Sequence, residues 1–135
     1  GPWGRPDMAM YIFANKIING EKIQLFNHGK MQRDFTFIDD IVDGIKASIK
    51  QNYPCEIFNL GNNHCEDLID MISYIENELN RKADFDSIDS QPGDMKKTFA
   101  NVDHAKNKLN YNPSTSLSRG VPKFIQWYKS YHKIT

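Results

Sequence analysis

Apolar residues repeat at helical spacing in several stretches of the chain, and turn residues separate these stretches. The pattern is clearest at residues 65–80, where one face of a helix carries apolar side chains. Similar patterns predict helices at residues 8–19, 41–50 and 101–109, and a final helix from about Arg119. The predicted apolar faces are Met8, Ile12 and Ile17; Ile41, Val42, Ile45 and Ile49; Leu68, Met71, Ile72, Ile75 and Leu79; and Val121, Phe124, Ile125, Tyr128 and Tyr131.

Residues with strong positional preferences indicate where these helices begin and end. Asp7 is the predicted N-cap of the first helix, and Gly20 is its stop signal. Asp39 and Asp40 are expected to be structural caps of the second helix, because acidic side chains favour the positive end of the helix dipole. Pro122 fits only a first turn, so the regular part of the last helix is predicted to start near Arg119.

Short β-prone segments alternate with the helices. Residues 22–26, 33–38 and 85–88 have strand-like composition, and the turn-rich sequence NHGKMQ separates the first two. Residues 56–61, of sequence EIFNLG, are an apolar run ending in glycine, which is typical of a buried parallel strand. The mixture predicts an α/β fold. Because a few short strands make a weak independent sheet, we expect further strands beside residues 56–61.

Composition narrows the possible functions. The chain has 135 residues, with 17 Lys and Arg against 17 Asp and Glu, so its formal net charge is zero. Binding to nucleic acid or to an anionic membrane surface needs a basic excess, and neither partner is expected. No apolar stretch approaches the length of a membrane span, and no signal peptide is recognisable from Gly1 onward. A cytoplasmic protein is therefore expected.

The cysteines and histidines do not indicate a metal centre. Cys55 and Cys65 stand ten residues apart without a CxxC pattern, and the four histidines are scattered. Two thiols also do not make the disulfide framework of a small secreted domain. We therefore expect two reduced thiols and no bound metal.

Five stretches of the sequence carry a resemblance to a known family. They are GPWGRPDMA at residues 1–9, RDFTFIDDIVDGI at 33–45, FNLGN at 58–62, QPGD at 91–94 and the closing LNYNPSTSLSRGVPKFIQWY. In this order they resemble the extended short-chain dehydrogenase/reductase family, and within it the UDP-glucuronate 4-epimerases. The resemblance implies an α/β fold: a C-terminal substrate-binding lobe of helices with a few short strands, lacking the main Rossmann sheet.

The same resemblance sets expectations for the cofactor and partners. Full-length members of the family hold NAD on a glycine-rich turn of an N-terminal domain and use a Tyr-x-x-x-Lys pair for proton transfer. This sequence contains no GxGxxG, no GxxGxxG and no Tyr-x-x-x-Lys. Residues 1–135 are therefore expected to form a single UDP-sugar-binding domain of a longer epimerase, without NAD and without catalytic residues of its own. Its expected partners are a UDP-sugar and the N-terminal nucleotide-binding domain, with a homo-oligomer left open.

Two arginines are candidates for contact with such a substrate. In the resembled family the arginine of the RDF motif, here Arg33, contacts the diphosphate, and a guanidinium offers phosphate oxygens a planar fork of donors. The alternative is a surface arginine paired with Asp34 or Asp40. Arg5 lies in GRPDMA, where it would face the sugar carboxylate of UDP-glucuronate together with the start of the first helix. The alternative for Arg5 is a plain loop residue.

The remaining candidates also come from the resemblance. Gln91 stands where relatives often carry a phosphate-binding arginine, and Asp94 corresponds to a ribose contact, with a turn or cap as its alternative. Residues 23–26, ending at Phe26, correspond to a segment whose backbone recognises uracil, and they equally fit an apolar strand. Asn59 is expected near the nucleotide.

Three functions fit these residues. The first is the substrate-binding portion of a nucleotide-sugar 4-epimerase that interconverts UDP-glucuronate and UDP-galacturonate, inactive alone. The second is a stand-alone or degenerate nucleotide-sugar-binding module without catalysis. The third is part of a nucleotide-sugar 4,6-dehydratase, although GPWGRPDMA favours the glucuronate branch. One residue departs from the family pattern: Glu66 stands where relatives tend to have an apolar side chain.

Overall fold

The structure is a computed structural model, and it describes residues 1–89, 95 and 97–134. Its helices are α1 (Ala9–Asn19), α2 (Ile38–Gln51), α3 (Leu68–Leu79), α4 (Asp103–Leu109) and α5 (Leu117–His132). Its strands are β1 (Ile23–Phe26), β2 (Gln32–Arg33), β3 (Glu66–Asp67), β4 (Phe85–Ile88) and β5 (Lys97–Thr98). A 3-10 turn at Asn27–Gly29 follows β1. The α/β class predicted from the sequence is confirmed.

The strands form two small sheets. β1 and β4 pair in parallel, with Ile23 opposite Phe85. β2 lies between β3, which is antiparallel to it, and β5, which is parallel. Arg33 is therefore opposite Glu66 on one side and opposite Thr98 on the other. Three segments that are distant in sequence meet at this arginine.

The main core lies between α1, α3 and α5 and includes the inward side chains of β1. Its burial supplies the main stabilisation, because apolar surface leaves water. The helical faces predicted for α3 and α5 are confirmed, except that Leu68 is half-buried and Tyr131 is 52% exposed. The buried members are Phe13, Ala14, Ile17, Ile23, Leu25, Met71, Ile72, Ile75, Leu79, Leu117, Val121, Phe124, Ile125 and Tyr128.

A second, smaller cluster joins α2 to α4. Its buried members are Val102, Ala105, Leu109 and Tyr111, and partly buried side chains from α2 and from residues 53–60 pack against them. Gly44 of α2 is buried against this cluster. A side chain at this position would collide with Leu60 and Tyr111. This cluster places Tyr111 beneath the loop at residues 58–62.

The first helix differs from the prediction at its start and in the face that it buries. The N-cap position is Met8, which makes no side-chain cap bond, and Asp7 instead forms an ion pair with Arg5. The helix ends at Gly20 as predicted, with φ 68°. Met8 and Ile12 of the predicted stripe are exposed. The residues that α1 buries are Phe13, Ala14 and Ile17.

The last helix also begins earlier than predicted. α5 starts at Leu117, so Pro122 lies in its second turn and costs one intrahelical hydrogen bond. The burial of Val121 and Phe124 on either side of the proline offsets that loss. Among the helices that the structure describes, none combines the length and the apolar character needed to cross a membrane.

Two strand predictions are wrong. Residues 56–61 form no strand, and Ile57 is 86% exposed; the neighbouring segment after β5 contacts residues 59–61, but among the described residues no backbone ladder joins them. The strand predicted at residues 33–38 is reduced to the end of β2, since the chain leaves the sheet at Asp34 and enters α2 at Ile38. The predictions of β1 and β4 are confirmed.

The apolar face predicted for α2 exists but is largely uncovered in the described chain. Of the predicted face, Ile41 and Val42 are half-buried, whereas Ile45 and Ile49 are 47% and 72% exposed; Ile38, at the start of the helix, is 41% exposed as well. We call Ile38, Ile45 and Ile49 on α2 the isoleucine surface; Ile57, in the segment after α2, is exposed separately. A helix normally buries its apolar stripe against another element, so an exposed apolar face of this kind is unusual in a folded domain.

Candidate functional site

Arg33 lies on the central strand of the three-stranded sheet. Its side chain is half-buried, and Nη1 donates a hydrogen bond to the backbone oxygen of Gln32 at 2.9 Å. Within residues 1–89, 95 and 97–134, no carboxylate lies within 4.0 Å of its guanidinium. The alternative in which Arg33 pairs with Asp34 or Asp40 is therefore not formed. As far as the described residues go, the other guanidinium donors have no hydrogen-bond partner and are available to an anion.

Asp34 follows Arg33 directly and connects three segments of the chain. Its carboxylate accepts backbone hydrogen bonds from Asn62 at 2.8 Å, Asn63 at 3.0 Å and Ala100 at 3.1 Å. It also accepts a bond from the hydroxyl of Thr36 at 3.1 Å. Both carboxylate oxygens take part, so the negative charge is satisfied by backbone dipoles rather than by an arginine.

Gly61 lies where these segments approach most closely. A Cβ at this position would be 2.6 Å from Cβ of Ala100 and 3.0 Å from Oδ2 of Asp34. Contacts that short require one of the partners to move, and the Ala100 partner is held by its own backbone. Glycine is therefore needed for the loop at residues 58–62 to sit against Asp34.

Tyr111 supports the same loop from below. It is 4% exposed, and its hydroxyl donates a hydrogen bond to the backbone oxygen of Gly61 at 3.0 Å. Burial raises the pKa of Tyr111 to about 12, and the negative charges of Asp40 and Asp34 add to the effect. The phenol therefore stays protonated, and remains a donor, at neutral pH.

Asp40 does not cap α2, and its carboxylate instead holds a loop. It accepts backbone hydrogen bonds from Ser114 at 3.3 Å and Thr115 at 3.0 Å, in the loop before α5. The N-cap position of α2 is Phe37, which makes no side-chain bond. Asp39 lies in the first turn of α2 and is exposed. Asp39 and Asp40 lie inside the first turn of α2, beyond its N-cap position, so neither caps the helix, and Asp40 faces the loop amides instead.

Asn59 shares a cleft with Asp34. The cleft has a volume of about 380 Å³ and is lined by residues of the 59–61 loop and of the segment after β5. The Asn59 amide nitrogen donates to the backbone oxygen of Asn101 at 3.3 Å, and the residue is exposed. The structure thus places Asn59 next to the segments that are hydrogen-bonded to Asp34. Asp34 directly follows Arg33 in the chain.

The other candidates are not assembled in the same way. Arg5 is an exposed loop residue whose Nε lies 3.2 Å from Oδ1 of Asp7, and it does not line the cleft. Phe26 ends β1 and is half-buried. It pairs with Ile88 of β4 in the two-stranded sheet, which does not contain Arg33. Gln91 and Asp94 lie outside the described residues. Their predicted roles stay predictions.

The described glycines do not form a cradle for NAD. A dinucleotide site needs a glycine-rich turn between a strand and a helix whose N-terminus faces the pyrophosphate. Gly29 lies between β1 and β2, and Gly44 and Gly120 lie inside helices. In the part of the chain that the structure describes, no cluster of three or more His, Cys, Asp or Glu is placed to hold a metal ion.

The sequence did not indicate a role in this site for Gly61 or Tyr111, and it indicated Asp34 only as a possible ion-pair partner of Arg33. The three residues form one connected network. All three lie inside the stretches RDFTFIDDIVDGI, FNLGN and LNYNPSTS. Their position in stretches that carry the family resemblance could have indicated that they matter for the site. Their contact with one another, however, is visible only in the folded chain.

Comparison with known proteins gives one family match. The model of the "NAD dependent epimerase/dehydratase family" matches residues 1–61. "Protein CapI" of Staphylococcus aureus is 39% identical over 98% of this chain and 45% of its own length. "UDP-glucuronate 4-epimerase 4" of Arabidopsis thaliana is 40% identical over 98% of this chain and 34% of its own length. The chain thus spans less than half the length of these curated relatives.

Solved structures show the same fold. The UDP-glucuronic acid 4-epimerase of Bacillus cereus, in complex with UDP-glucuronic acid and NAD, matches with a TM-score of 0.88 and 31% identity over 97% of this chain and 42% of that chain. A dTDP-glucose 4,6-dehydratase of Bacillus anthracis, in complex with NAD, matches with a TM-score of 0.86 over 98% of this chain and 42% of that chain. At 20% identity the second match shows the fold alone.

Proposed function

We propose that this chain belongs to the NAD-dependent epimerase/dehydratase family and is the nucleotide-sugar-binding part of a UDP-glucuronate 4-epimerase. Arg33 contacts the diphosphate of the UDP-sugar. The observation that carries the proposal is the state of Arg33: a half-buried cation on the central strand, without a carboxylate within 4.0 Å among the described residues. Such a cation favours an anion, and diphosphate suits its forked donors.

The choice of a glucuronate substrate rests on the relatives. The Arabidopsis relative is named for UDP-glucuronate, and the Bacillus cereus structure at 31% identity holds UDP-glucuronic acid. The GPWGRPDMA stretch at residues 1–9 lies within the matched family region. Arg5 in that stretch is a surface cation and would face the sugar carboxylate if its exposed pair with Asp7 opens. Exposed pairs of this kind are weak, so opening costs little.

The isoleucine surface supports a second part of the proposal. Ile38, Ile45, Ile49 and Ile57 are exposed, and residues 56–61 carry an apolar run without strand partners in the described chain. A nucleotide-binding domain of the kind that holds NAD in the relatives would cover both features. Burying each isoleucine would contribute on the order of 1–2 kcal/mol. We propose that proton and hydride transfer depend on that domain.

A second candidate function is a nucleotide-sugar-binding module without catalysis. It is supported by the closed core of α1, α3 and α5, which this chain builds from its own residues. A part of a 4,6-dehydratase is the third candidate, and the likeness in fold to the Bacillus anthracis enzyme is compatible with it. Binding of UDP-glucuronate in preference to dTDP-glucose separates the epimerase proposal from the dehydratase alternative.

Calorimetric titration of the chain with UDP and UDP-glucuronate tests the role of Arg33. We expect measurable binding by the parent and a loss of roughly ten-fold or more in Arg33→Ala, because a hydrogen bond to a charged group contributes about 1.5–3 kcal/mol. Lys50→Ala is the matched control: it removes one positive charge from an exposed site at the end of α2. Equal affinities of Arg33→Ala and the parent would contradict the diphosphate contact.

Turnover measurements test the dependence on a nucleotide-binding domain. The pure chain with NAD and UDP-glucuronate is expected to show no epimerisation. Turnover by the chain alone would show that the catalytic groups lie within it.

The nucleotide-binding domain of the Bacillus cereus enzyme, when added, is expected to associate with this chain. The double substitution Ile45→Gln/Ile49→Gln should weaken the association of the two proteins without destabilising the chain.

A further inference from the structure

Asp34 has more hydrogen-bond partners than a surface aspartate needs. Its two oxygens accept three backbone N–H groups and one hydroxyl, from Asn62, Asn63, Ala100 and Thr36. The three amides lie 28, 29 and 66 positions away along the chain. Bonds from backbone amides to a carboxylate are charge-assisted, and they are roughly twice as strong as neutral ones.

The position of Asp34 gives these bonds a consequence for Arg33. β2 has two residues, so its ladder alone fixes the backbone of Arg33 weakly. The bonds of Asp34 extend the constraint by one residue, and the backbone N–H of Asp34 donates to the oxygen of Thr98 at 3.0 Å. The carboxylate is also prevented from pairing with Arg33, because its oxygens are already used.

The same bonds hold the cleft. Asn62 and Asn63 end the loop that carries Asn59, and Ala100 follows β5. Gly61 approaches Asp34 and Ala100 so closely that the loop and the segment after β5 are in direct contact at that point. One carboxylate therefore ties the two walls of the cleft together, and it directly follows Arg33 in the chain, although Arg33 does not itself line the cleft.

We propose that Asp34 is a positioning residue for the nucleotide-sugar site, which holds Arg33 and the Asn59 loop in the binding geometry through the backbone amides of Asn62, Asn63 and Ala100. The inference rests on the proposed function, since it needs Arg33 to bind a diphosphate. Asp34 does not touch the ligand; it acts through the residues that it fixes.

A double-mutant cycle with UDP as the probe tests this role. At a temperature where every variant is folded, Asp34→Ala should weaken UDP binding about ten-fold or more. Asp34→Asn retains one acceptor oxygen and should weaken it less, which provides a milder variant if Asp34→Ala does not fold. In the Arg33→Ala background, Asp34→Ala should cause a clearly smaller further loss, which is the part that acts through the Asn59 loop. Asp43→Asn removes the same charge from an exposed site on α2 and should leave UDP affinity unchanged.

The outcomes separate the two proposals. A parent chain that binds no UDP overturns the proposed function and the positioning role with it. A parent that binds UDP while Asp34→Ala and Asp34→Asn bind equally well overturns the positioning role alone. Equal losses from Asp34→Ala with and without Arg33 overturn it too, because they indicate general destabilisation rather than coupling.

Amide hydrogen exchange without ligand provides an independent readout. Asp34→Ala should accelerate exchange at Asn62, Asn63 and Ala100, while Thr115, which is bonded to Asp40, keeps its rate. Unchanged exchange at all three amides would overturn the inference whatever the UDP affinity.

Discussion

The hydroxyl of Tyr111 donates a hydrogen bond to the backbone oxygen of Gly61 at 3.0 Å, across 50 positions of sequence. Gly61 in turn packs against the carboxylate of Asp34 and against Ala100. The loop at residues 58–62 is thus held by two side chains: the buried phenol of Tyr111 and the carboxylate of Asp34. The candidate site depends on this network as much as on the arginine that would bind the ligand.

Tyr111→Phe should destabilise the chain by about 1–2 kcal/mol. The substitution keeps the ring but leaves the Gly61 carbonyl without its donor in a buried place. Urea unfolding followed by far-ultraviolet circular dichroism measures the change. Tyr131→Phe, at a residue that is 52% exposed, is the control and should change stability little. Equal effects of the two substitutions would argue against the bond.

Stability should fall at alkaline pH because of Tyr111. Its pKa is raised from 10.0 to about 12 in the folded chain, so the folded state holds this proton more tightly than the unfolded state. The contribution is fully present below pH 10 and is lost as pH rises from 10 to about 12. Thermal unfolding at pH 9 and pH 11 measures it. The melting temperature of Tyr111→Phe should fall less than that of the parent; parallel falls would contradict the assignment.

Gly61→Ala should destabilise the chain by roughly 1–3 kcal/mol, because the added methyl would be 2.6 Å from Cβ of Ala100. The second substitution Ala100→Gly removes that obstacle, so Gly61→Ala/Ala100→Gly should recover part of the loss. Chemical unfolding of the two single variants and the double variant gives the coupling. Additive losses in the double variant would show that the contact with Ala100 is not the cause.

Asp40→Ala should cost about 1–3 kcal/mol, since the amides of Ser114 and Thr115 lose their acceptor. Asp39→Ala is a matched control from the same helical turn, and both substitutions weaken the favourable interaction with the dipole of α2 to a similar degree. The difference between the two variants in thermal unfolding therefore isolates the loop bonds. No difference would mean that the loop before α5 is held by other contacts.

Glu66→Gln should tighten UDP binding by about 0.5–1 kcal/mol, which is roughly two- to five-fold. Glu66 lies opposite Arg33 in the antiparallel β2–β3 pair, where side chains are about 5 Å apart, and its negative charge opposes an incoming diphosphate. Glu78→Gln, on the exposed side of α3, removes an equal charge as a control. Calorimetry at low and high salt should show the gain shrinking with salt; equal affinities for both variants would oppose this view.

Local pattern alone predicted a large part of the fold. The spacing of Met71, Ile72, Ile75 and Leu79 predicted α3 and its buried face, and Gly20 predicted the end of α1. Helical periodicity and left-handed glycine are properties of neighbouring residues, so they can be recognised without the folded chain. The resemblance carried by the RDF motif indicated Arg33 as a candidate diphosphate contact.

Tertiary structure decided what the pattern could not. The apolar face of α2 was visible in the sequence, but whether Ile45 and Ile49 are covered depends on which element packs there. The run at residues 56–61 has strand composition, yet a strand exists only where a neighbour supplies hydrogen bonds. The carboxylate of Asp34 accepts hydrogen bonds from the backbone amides of Asn62 and Ala100, which lie far along the chain. A carboxylate is a local property of sequence, whereas the amides that it holds are brought to it only by folding.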